Sequence, residues 1–321
     1  MQDFSGKIAV ITGGGTGMGR ALARQLIAQG CHVATCDIIE ENLAQTLQIC
    51  SSEAPQGIRI STHVCDVADE DQINGFREAL QSEHGCDHIN LLFNNAGIGG
   101  GGSFVNSSRE EWERTFNICW NGVYLMTRAF LPLLLNSEQG HVVNTSSVNG
   151  FRASLGGNVP HTAYSAAKFA VKGFTEALIN DFRFNAPHLK ASVVMPGYVG
   201  TQIAKNTGRI LGQKPPQDLT DEEIETSRGV WSKGGWVEID ERASSDDIRQ
   251  QLQARFDEYD KGGLTPDEAA TVILDGVKAD EWRVLVGPDA VALDRAVRES
   301  PVDAYDLDFS DKVWASMIER T

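Results

Sequence analysis

The chain has 321 residues, and its 41% hydrophobic content is enough to bury the core of one large α/β unit. The formal net charge of −16 argues against nucleic acid or an anionic membrane as a partner. No run of about 18 apolar residues predicts a membrane span, and the first strand begins too early to leave room for a signal peptide. Six cysteines without metal-type spacing predict reduced thiols, no metal site and a cytoplasmic protein.

Strands and helices alternate along the chain. The strands are expected at 7–12, 32–36, 58–65, 89–93, 141–145, 190–195 and 283–286. The helices are expected at 17–29, 40–51, 69–83, 108–136, 162–185, 246–260 and 266–279. This alternation predicts an α/β fold, a doubly wound parallel sheet of about seven strands with helices on both faces. We expect a single domain over 1–321, with ligands bound at the carboxyl ends of the strands.

The first strand runs directly into a glycine-rich turn, Thr12-Gly13-Gly14-Gly15-Thr16-Gly17-Met18-Gly19. Such glycines let the backbone approach a pyrophosphate, which then binds the N–H groups at the start of the following helix. The next strand ends at Asp37, where a carboxylate can accept hydrogen bonds from adenosine ribose hydroxyls. A strand-end cap is the alternative interpretation of Asp37.

The charges around this turn predict the cofactor. Asp37 would repel a 2′-phosphate, Ile38 follows it where a cation could have compensated, and Thr16 supplies no cation within the turn. We therefore expect NAD rather than NADP.

Tyr164 and Lys168 stand four residues apart, which places both on one face of a helix. A nearby positive charge favours the phenolate and lowers the tyrosine pKa towards neutrality, where a general acid/base works best. A serine of the pair Ser146-Ser147 could hold a substrate oxygen against the phenol. The arrangement predicts proton exchange with an alcohol or a carbonyl group, although this spacing also occurs by chance on solvated helix faces.

Taken together, these motifs over residues 4–202 resemble the short-chain dehydrogenase/reductase family. The resemblance implies a Rossmann-like, oligomeric NAD-dependent oxidoreductase that moves a hydride between a secondary alcohol or ketone and the nicotinamide. It implies that Ser147 orients the substrate oxygen, that Tyr164 is the general acid/base and that Lys168 lowers the tyrosine pKa and binds the nicotinamide ribose. Asp66 matches the adenine contact of the family, Asn94 to Gly97 its fourth-strand motif and Pro196 to Thr201 its nicotinamide-side loop. The cofactor residues implied are Gly13, Thr16, Gly17, Met18, Gly19, Asp37, Ile38, Asp66, Val67, Asn94, Asn95, Ala96, Gly97, Tyr164, Lys168, Pro196, Gly197, Val199 and Thr201.

Two departures from the family pattern lie near the expected active site. Cys119 stands where the family has a helix asparagine, and it is either a redox thiol or a small residue packed in the helix. Between Ser147 and Tyr164 the chain carries about four extra residues. There Arg152 is either a carboxylate anchor or a solvated arginine, and His161 either contacts substrate or caps the following helix. Phe151, Ser154 and Asn158 lie in the same segment.

The third departure is the long C-terminal part. Residues 202–265 are expected to form a helical substrate lid, in which Ile248, Leu252, Phe256 and Tyr259 form one apolar stripe. This stripe either faces a hydrophobic substrate or packs on the body of the protein, and Trp231 and Trp236 flank a Gly234-Gly235 hinge. Residues 288–321 are expected to form a C-terminal extension, which makes a homodimer at least as plausible as a homotetramer.

The substrate is expected to be a small, apolar hydroxy or keto compound. A catalytically silent NAD-binding sensor is the alternative function. It is supported by Cys119, which stands where the family has an asparagine.

Overall fold

The computed structural model describes residues 1–154, 159–234 and 242–318. Its centre is a seven-stranded sheet in the order β3-β2-β1-β4-β5-β6-β7, with every neighbouring pair parallel. The strands are β1 Ile8–Thr12, β2 His32–Asp37, β3 Ile60–Val64, β4 Leu91–Asn94, β5 Gly140–Thr145, β6 Leu189–Pro196 and β7 Arg283–Val286. The predicted doubly wound sheet is confirmed, and each predicted strand ends within two residues of the observed one.

Helices cover both faces of this sheet. They are α1 Gly17–Ala28, α2 Glu40–Glu53, α3 Glu70–His84, α4 Arg109–Phe116, α5 Gly122–Leu135, α6 Thr162–Asn185, α7 Ile203–Ile210, α8 Asp221–Gly234, α9 Ser245–Lys261, α10 Pro266–Lys278, α11 Pro288–Glu299 and α12 Phe309–Ile318. A π turn, Asn117–Asn121, joins α4 and α5 into one continuous helix. The helices expected from the sequence do not include α7, α8, α11 or α12.

Two apolar layers sandwich the sheet, so its central strands are buried on both faces. All residues of β1, β4 and β5 are buried. One layer packs α3, α5 and α6 on one face, and the other packs α1 and α10 on the opposite face. The sheet is therefore a rigid platform whose carboxyl edge carries the site.

The continuous helix Arg109–Leu135 is long and apolar enough, by length and composition alone, to cross a membrane. Half of its most apolar window is buried inside the protein, and α5 lies against β4 and β5. Packing of a core helix on the sheet accounts for that apolar face.

A buried polar network fixes the carboxyl end of the central strands. The Asn94 side chain donates to Asn144 Oδ1 at 2.8 Å and to Thr127 Oγ1 at 2.9 Å. Asn144 in turn donates to Thr175 Oγ1 at 2.9 Å. These bonds connect β4 and β5 to α5 and α6, so the Asn94 side chain holds the centre of the sheet to its helices.

Candidate dinucleotide cleft and catalytic cluster

The cleft opens where the strand order reverses, between β1 and β4, which is the usual ligand site of such sheets. A Cβ atom on Gly13, whose φ is +67°, would lie 2.8 Å from Ala96 Cα, so only glycine fits there. Gly17 begins α1 with φ +53°. The turn thus brings bare backbone to a helix N-terminus, a cradle whose shape and exposed N–H groups fit a dinucleotide pyrophosphate.

Asp37 caps the end of β2 and also lies in the cleft, where its expected contact with the ribose stays a prediction. Its Oδ2 accepts the Gly15 N–H at 3.0 Å and its Oδ1 accepts the Ile39 N–H at 3.0 Å, so it caps the strand end. It also lines the cleft next to Ile38 and Thr16. Burial raises the pKa of this carboxyl group, while the backbone N–H bonds act in the opposite direction.

At the opposite wall of the cleft, Asp66 pairs with an arginine that sequence reasoning missed. Arg114 of α4 donates to Asp66 Oδ2 at 2.5 Å, and both side chains line the cleft with Val67 and Ile118. The apolar side chains of Val67 and Ile118 beside this ion pair suit an adenine ring.

The Asn94-Asn95-Ala96-Gly97 motif divides into structural and cleft-lining parts. Asn94 points into the buried network and does not line the cleft. The Asn95 side chain donates to Thr12 O at 3.1 Å, and Asn95, Ala96 and Gly97 form the cleft wall. Thr12 Oγ1 accepts the N–H groups of Asn95 and Ala96, each at 3.0 Å, which fixes this segment against β1.

Ser147, Tyr164 and Lys168 come together beside Gly97. Ser147 lies near enough to Tyr164 to lower the pKa of the phenol, and Lys168 Nζ lies 5.3 Å from the Tyr164 ring centroid. A Cβ on the cleft residue Gly97 would lie 3.4 Å from that Nζ, so the cluster adjoins the cleft. Ser146 donates to Lys168 O at 2.8 Å and is structural, which supports the choice of Ser147.

The expected pKa of Tyr164 is wrong for this structure. Burial is the largest influence and raises the pKa of the phenol, and the Ser147 contact lowers it only in part. Burial also lowers the pKa of the Lys168 ammonium, whose Nζ donates to Thr145 O at 2.8 Å. Burial of the phenol thus acts against the lowering of its pKa that the pairing with Lys168 predicted.

Cys119 occupies the π turn between α4 and α5. It is fully buried, and its Sγ donates to Ile98 O at 3.2 Å. Burial raises the pKa of the thiol, which opposes the reactive thiolate form. The packed-residue interpretation therefore fits the structure, and the redox interpretation does not.

The loop after β6 is held in place by the C-terminal part of the chain. A Cβ on Gly197 would overlap the carboxylate of Asp289, and Asp289 Oδ2 accepts the Tyr198 N–H at 2.6 Å. Val199 pairs with Gly263 and Leu264 in isolated bridges. Thr201, at the end of this loop, lines the cleft.

Both sequence interpretations of Arg152 are wrong. The side chain is only 3% exposed, so it is neither a solvated arginine nor an anchor open to substrate. Its Nε donates to Ala304 O at 2.7 Å, and its guanidinium lies 5.0 Å from the Phe309 ring centroid. Arg152 thus ties the loop after Ser147 to the C-terminal extension.

His161 does not cap α6, contrary to one of its two sequence interpretations. It precedes the helix without a side-chain capping bond. Its ring instead stacks on the Tyr164 ring, with centroids 4.5 Å apart and an interplanar angle of 15°. Asn158, in the same extra segment, lies outside the described residues.

The apolar stripe of α9 divides between two environments. Ile248 and Leu252 pack with Ile224 of α8 in a small cluster inside the 202–265 segment. Tyr259 packs on Tyr198, with ring centroids 5.0 Å apart, and lies close enough to Tyr164 to raise its pKa. Gly235, Trp236 and the Trp231 side chain lie outside the described residues.

Most predicted cofactor residues line the cleft, but seven do not. Those seven are Gly19, Asn94, Tyr164, Lys168, Pro196, Gly197 and Val199. The lining residues that sequence reasoning missed are Ile39, Cys65, Ile98, Arg114, Ile118, Ile203, Asn206 and Ile210. The spacing of Ile203, Asn206 and Ile210, one face of a short helix, was the available signal for three of them. Asn206 also donates to Thr16 Oγ1 at 3.1 Å, which brings α7 onto the glycine turn.

A parallel sheet with a glycine-lined cleft at its switch point, beside a Ser-Tyr-Lys cluster, defines the class of dinucleotide-binding oxidoreductases. The model of the short chain dehydrogenase family matches residues 7–210, well over half of the chain. The chain belongs to the short-chain dehydrogenase/reductase family.

Similar proteins extend this relationship over nearly the whole chain. SadH of Mycobacterium tuberculosis, described only provisionally as an oxidoreductase, is 32% identical over 298 residues, which are 93% of this chain and 92% of SadH. A family member from Burkholderia phymatum, crystallised in complex with NAD, superposes with a TM-score of 0.73 at 28% identity, covering 94% of this chain and 96% of that one. A metagenomic member in complex with NADP gives a TM-score of 0.53 at 28% identity, covering 65% of this chain and 90% of that one.

Proposed function

We propose that this protein is an NAD-dependent oxidoreductase acting on secondary alcohols and ketones, with Tyr164 as the general acid/base. The carrying observation is the grouping of Ser147, Tyr164 and Lys168 directly beside the glycine-lined cleft, with Lys168 Nζ 5.3 Å from the Tyr164 ring centroid. Membership of an oxidoreductase family agrees with it.

Each residue of the cluster has a distinct task in this proposal. The bound cofactor supplies or accepts the hydride at its nicotinamide ring. Ser147 donates a hydrogen bond to the substrate oxygen and orients it against Tyr164. Tyr164 donates its proton to a ketone oxygen or, in the reverse direction, accepts the proton of an alcohol. Lys168, fixed by its bond to Thr145 O, holds a positive charge beside the phenol and contacts the nicotinamide ribose.

The raised pKa of Tyr164 makes the protonated phenol the prevailing form, which is the form that ketone reduction requires. Alcohol oxidation needs the deprotonated phenol, so its kcat/KM rises with pH through the alkaline range.

The choice of NAD rests on Asp37, whose carboxylate occupies the position where a 2′-phosphate would need a cation. The NAD complex of the Burkholderia relative supports this choice, whereas the NADP complex of the metagenomic relative shows that both cofactors occur among similar folds. We further propose an apolar substrate below α9, a homo-oligomeric state and a cytoplasmic location, the last supported by six free cysteines.

A catalytically silent sensor is the less favoured function. Cys119 was the residue that supported this alternative, but it is buried and packed in the helix. Tyr164 and Lys168 of the proposed catalytic cluster are both present beside it.

Tyr164→Phe tests the proposal. Without the phenolic proton, kcat for a secondary alcohol with NAD falls about 100- to 10,000-fold, the usual contribution of a general acid/base. NAD affinity, measured by calorimetry, stays within about twofold because the ring remains. Tyr124→Phe, at a half-exposed tyrosine of α5, is the matched control and retains activity. Retained turnover in Tyr164→Phe contradicts the assignment.

A further inference from the structure

His161, in the extra segment, touches the proposed general acid/base. It precedes Tyr164 by three residues, so both side chains lie on the same side at the start of α6. Their rings are stacked almost parallel, 4.5 Å apart at 15°. One face of the catalytic phenol is therefore covered by imidazole instead of water.

A second contact fixes the tautomer of this imidazole. His161 Nε2 lies 3.1 Å from Gly99 O, and a carbonyl oxygen can only accept, so Nε2 carries the hydrogen. His161 Nδ1 is then an unprotonated nitrogen, buried without a hydrogen-bond partner among the described residues. Burial lowers the pKa of His161, and the ring remains neutral. His161 consequently contributes shape and orientation to the phenol, but no charge.

Gly99 extends this contact to the 202–265 segment. Its N–H donates to Thr207 Oγ1 of α7 at 2.8 Å, while its carbonyl oxygen accepts from His161. The same α7 bears Asn206, which bonds the glycine turn. One glycine residue thus connects the helix lying over the cofactor cleft to the ring stacked on Tyr164.

The loop around Gly99 is closely packed, so this connection is stiff. A Cβ on Gly100 would lie 2.6 Å from Thr115 Oγ1 and 2.7 Å from Leu211 Cδ1. The start of α6 is bonded to the same loop, since the Ala163 N–H donates to Gly101 O at 3.0 Å. Because this loop is closely packed, a displacement of α7 would also displace the start of α6.

We propose that His161 is a positioning residue for Tyr164, and that α7 acts on it through Gly99. This inference rests on the proposed function only where its test measures kcat. The ionisable groups that face Tyr164 are Lys168 on its own helix, Cys119 in the π turn and Tyr259 on α9. Because none of these is altered in the test below, a change in the behaviour of Tyr164 is attributable to the stack and its anchor.

Variants at His161 separate stacking from anchoring. His161→Ala removes both, and we expect kcat to fall about tenfold or more through lost orientation. It also lowers the pKa of the phenol, because water reaches the uncovered ring. His161→Phe keeps a flat ring but loses the bond to Gly99, so it retains the phenol pKa and recovers only part of kcat. The phenol is titrated by tyrosinate absorbance, with Tyr164→Phe as the blank.

Variants at Thr207 test the link to α7. Thr207→Val removes the acceptor for the Gly99 N–H, and we expect kcat to fall about threefold to tenfold with little change in NAD affinity. Thr207→Ser keeps the hydroxyl, so we expect a smaller loss of kcat. Thr226→Val, at an exposed threonine of α8, is the matched control and leaves kcat unchanged.

The outcomes are distinct. Unchanged kcat and phenol pKa in His161→Ala overturn the positioning role, and full activity in Thr207→Val overturns the link through α7. A nitrogen NMR spectrum of His161 showing Nδ1–H in the folded protein overturns the anchor. Should the wild type turn over no alcohol or ketone, the proposed function fails, yet the phenol titration and the NMR spectrum still decide on His161.

Discussion

Asp37 uses each of its carboxylate oxygens once, for the N–H groups of Gly15 and Ile39. Each oxygen keeps a further lone pair, and together they suit the two hydroxyls of an unphosphorylated ribose. Arg20 lies nearby but is occupied, since its Nε donates to Thr46 Oγ1 at 2.9 Å and its Nη2 donates to the Gly15 carbonyl. These bonds stabilise the glycine turn, so Arg20 Nε and Nη2 are not available to a 2′-phosphate.

Asp37→Ser tests cofactor choice at the scale of a single residue. Loss of hydrogen bonds to a charged acceptor costs about 1.5–3 kcal/mol, so kcat/KM with NAD falls about tenfold to a hundredfold. Activity with NADP rises because the repelling charge is gone. Steady-state kinetics with both cofactors measure the ratio, and Asp87→Ser at an exposed turn is the control. An unchanged ratio contradicts the role of Asp37.

The C-terminal extension acts as an element that supports the catalytic loop. Phe309 and Val313 of α12 pack with Leu293 of α11, and Val148 and Phe151 of the loop after Ser147 pack against them. Tyr305 Oη accepts the Ala153 N–H at 3.1 Å. The loop that carries Ser147 is therefore braced by residues more than a hundred positions away in sequence.

Arg152→Met tests this support. The variant loses the bond to Ala304 O and the contact with Phe309, and it leaves that carbonyl without its donor. We expect the free energy of unfolding to fall by about 2 kcal/mol, measured by urea denaturation. Arg295→Met, at an exposed arginine of α11, should change it by less than about 0.5 kcal/mol. Equal effects of the two substitutions would show that the buried arginine provides no special support.

Structural features that depend on local sequence patterns could be predicted from the sequence. Strand and helix alternation, the glycine turn and the Tyr164–Lys168 spacing follow from short-range periodicity and from backbone conformations that glycine permits. Arg152 and Ala304 are 152 residues apart, and no local signal relates them. The stack of His161 on Tyr164 also escaped prediction, because it depends on how Gly99 packs between α7 and α6. The raised pKa of Tyr164 depends on burial, which the pairing with Lys168 could not reveal.

At the scale of the whole molecule, two buried histidines make the free energy of unfolding decrease at acidic pH. His84 Nε2 shares a hydrogen bond with Ser61 Oγ at 2.9 Å, and His141 Nε2 shares one with Ser192 Oγ at 2.7 Å. Burial lowers the pKa of each to about 4. Since histidine in an unfolded chain titrates near pH ~6.5, the unfolded state binds more protons between these two values.

Stability should therefore be greatest above about pH 6.5 and fall as the pH drops towards about 4. The two histidines together contribute a loss of several kcal/mol, up to about 3 kcal/mol each. Urea denaturation across this range measures the slope, and the double variant His84→Gln/His141→Gln should show a shallower one. His88→Gln, at a solvent-accessible surface turn, should keep the slope of the wild type. Identical slopes in all three proteins would contradict the assignment.

The small apolar cluster of α8 and α9 has an evolutionary consequence. Ile224, Ile248 and Leu252, with Leu219 and Ala243 around them, all come from within one stretch of about thirty residues. None of these residues belongs to the two apolar layers that pack on the sheet. A substitution confined to this cluster therefore leaves the packing around the strands unchanged, and sequence drift is tolerated here more easily than in the body of the protein.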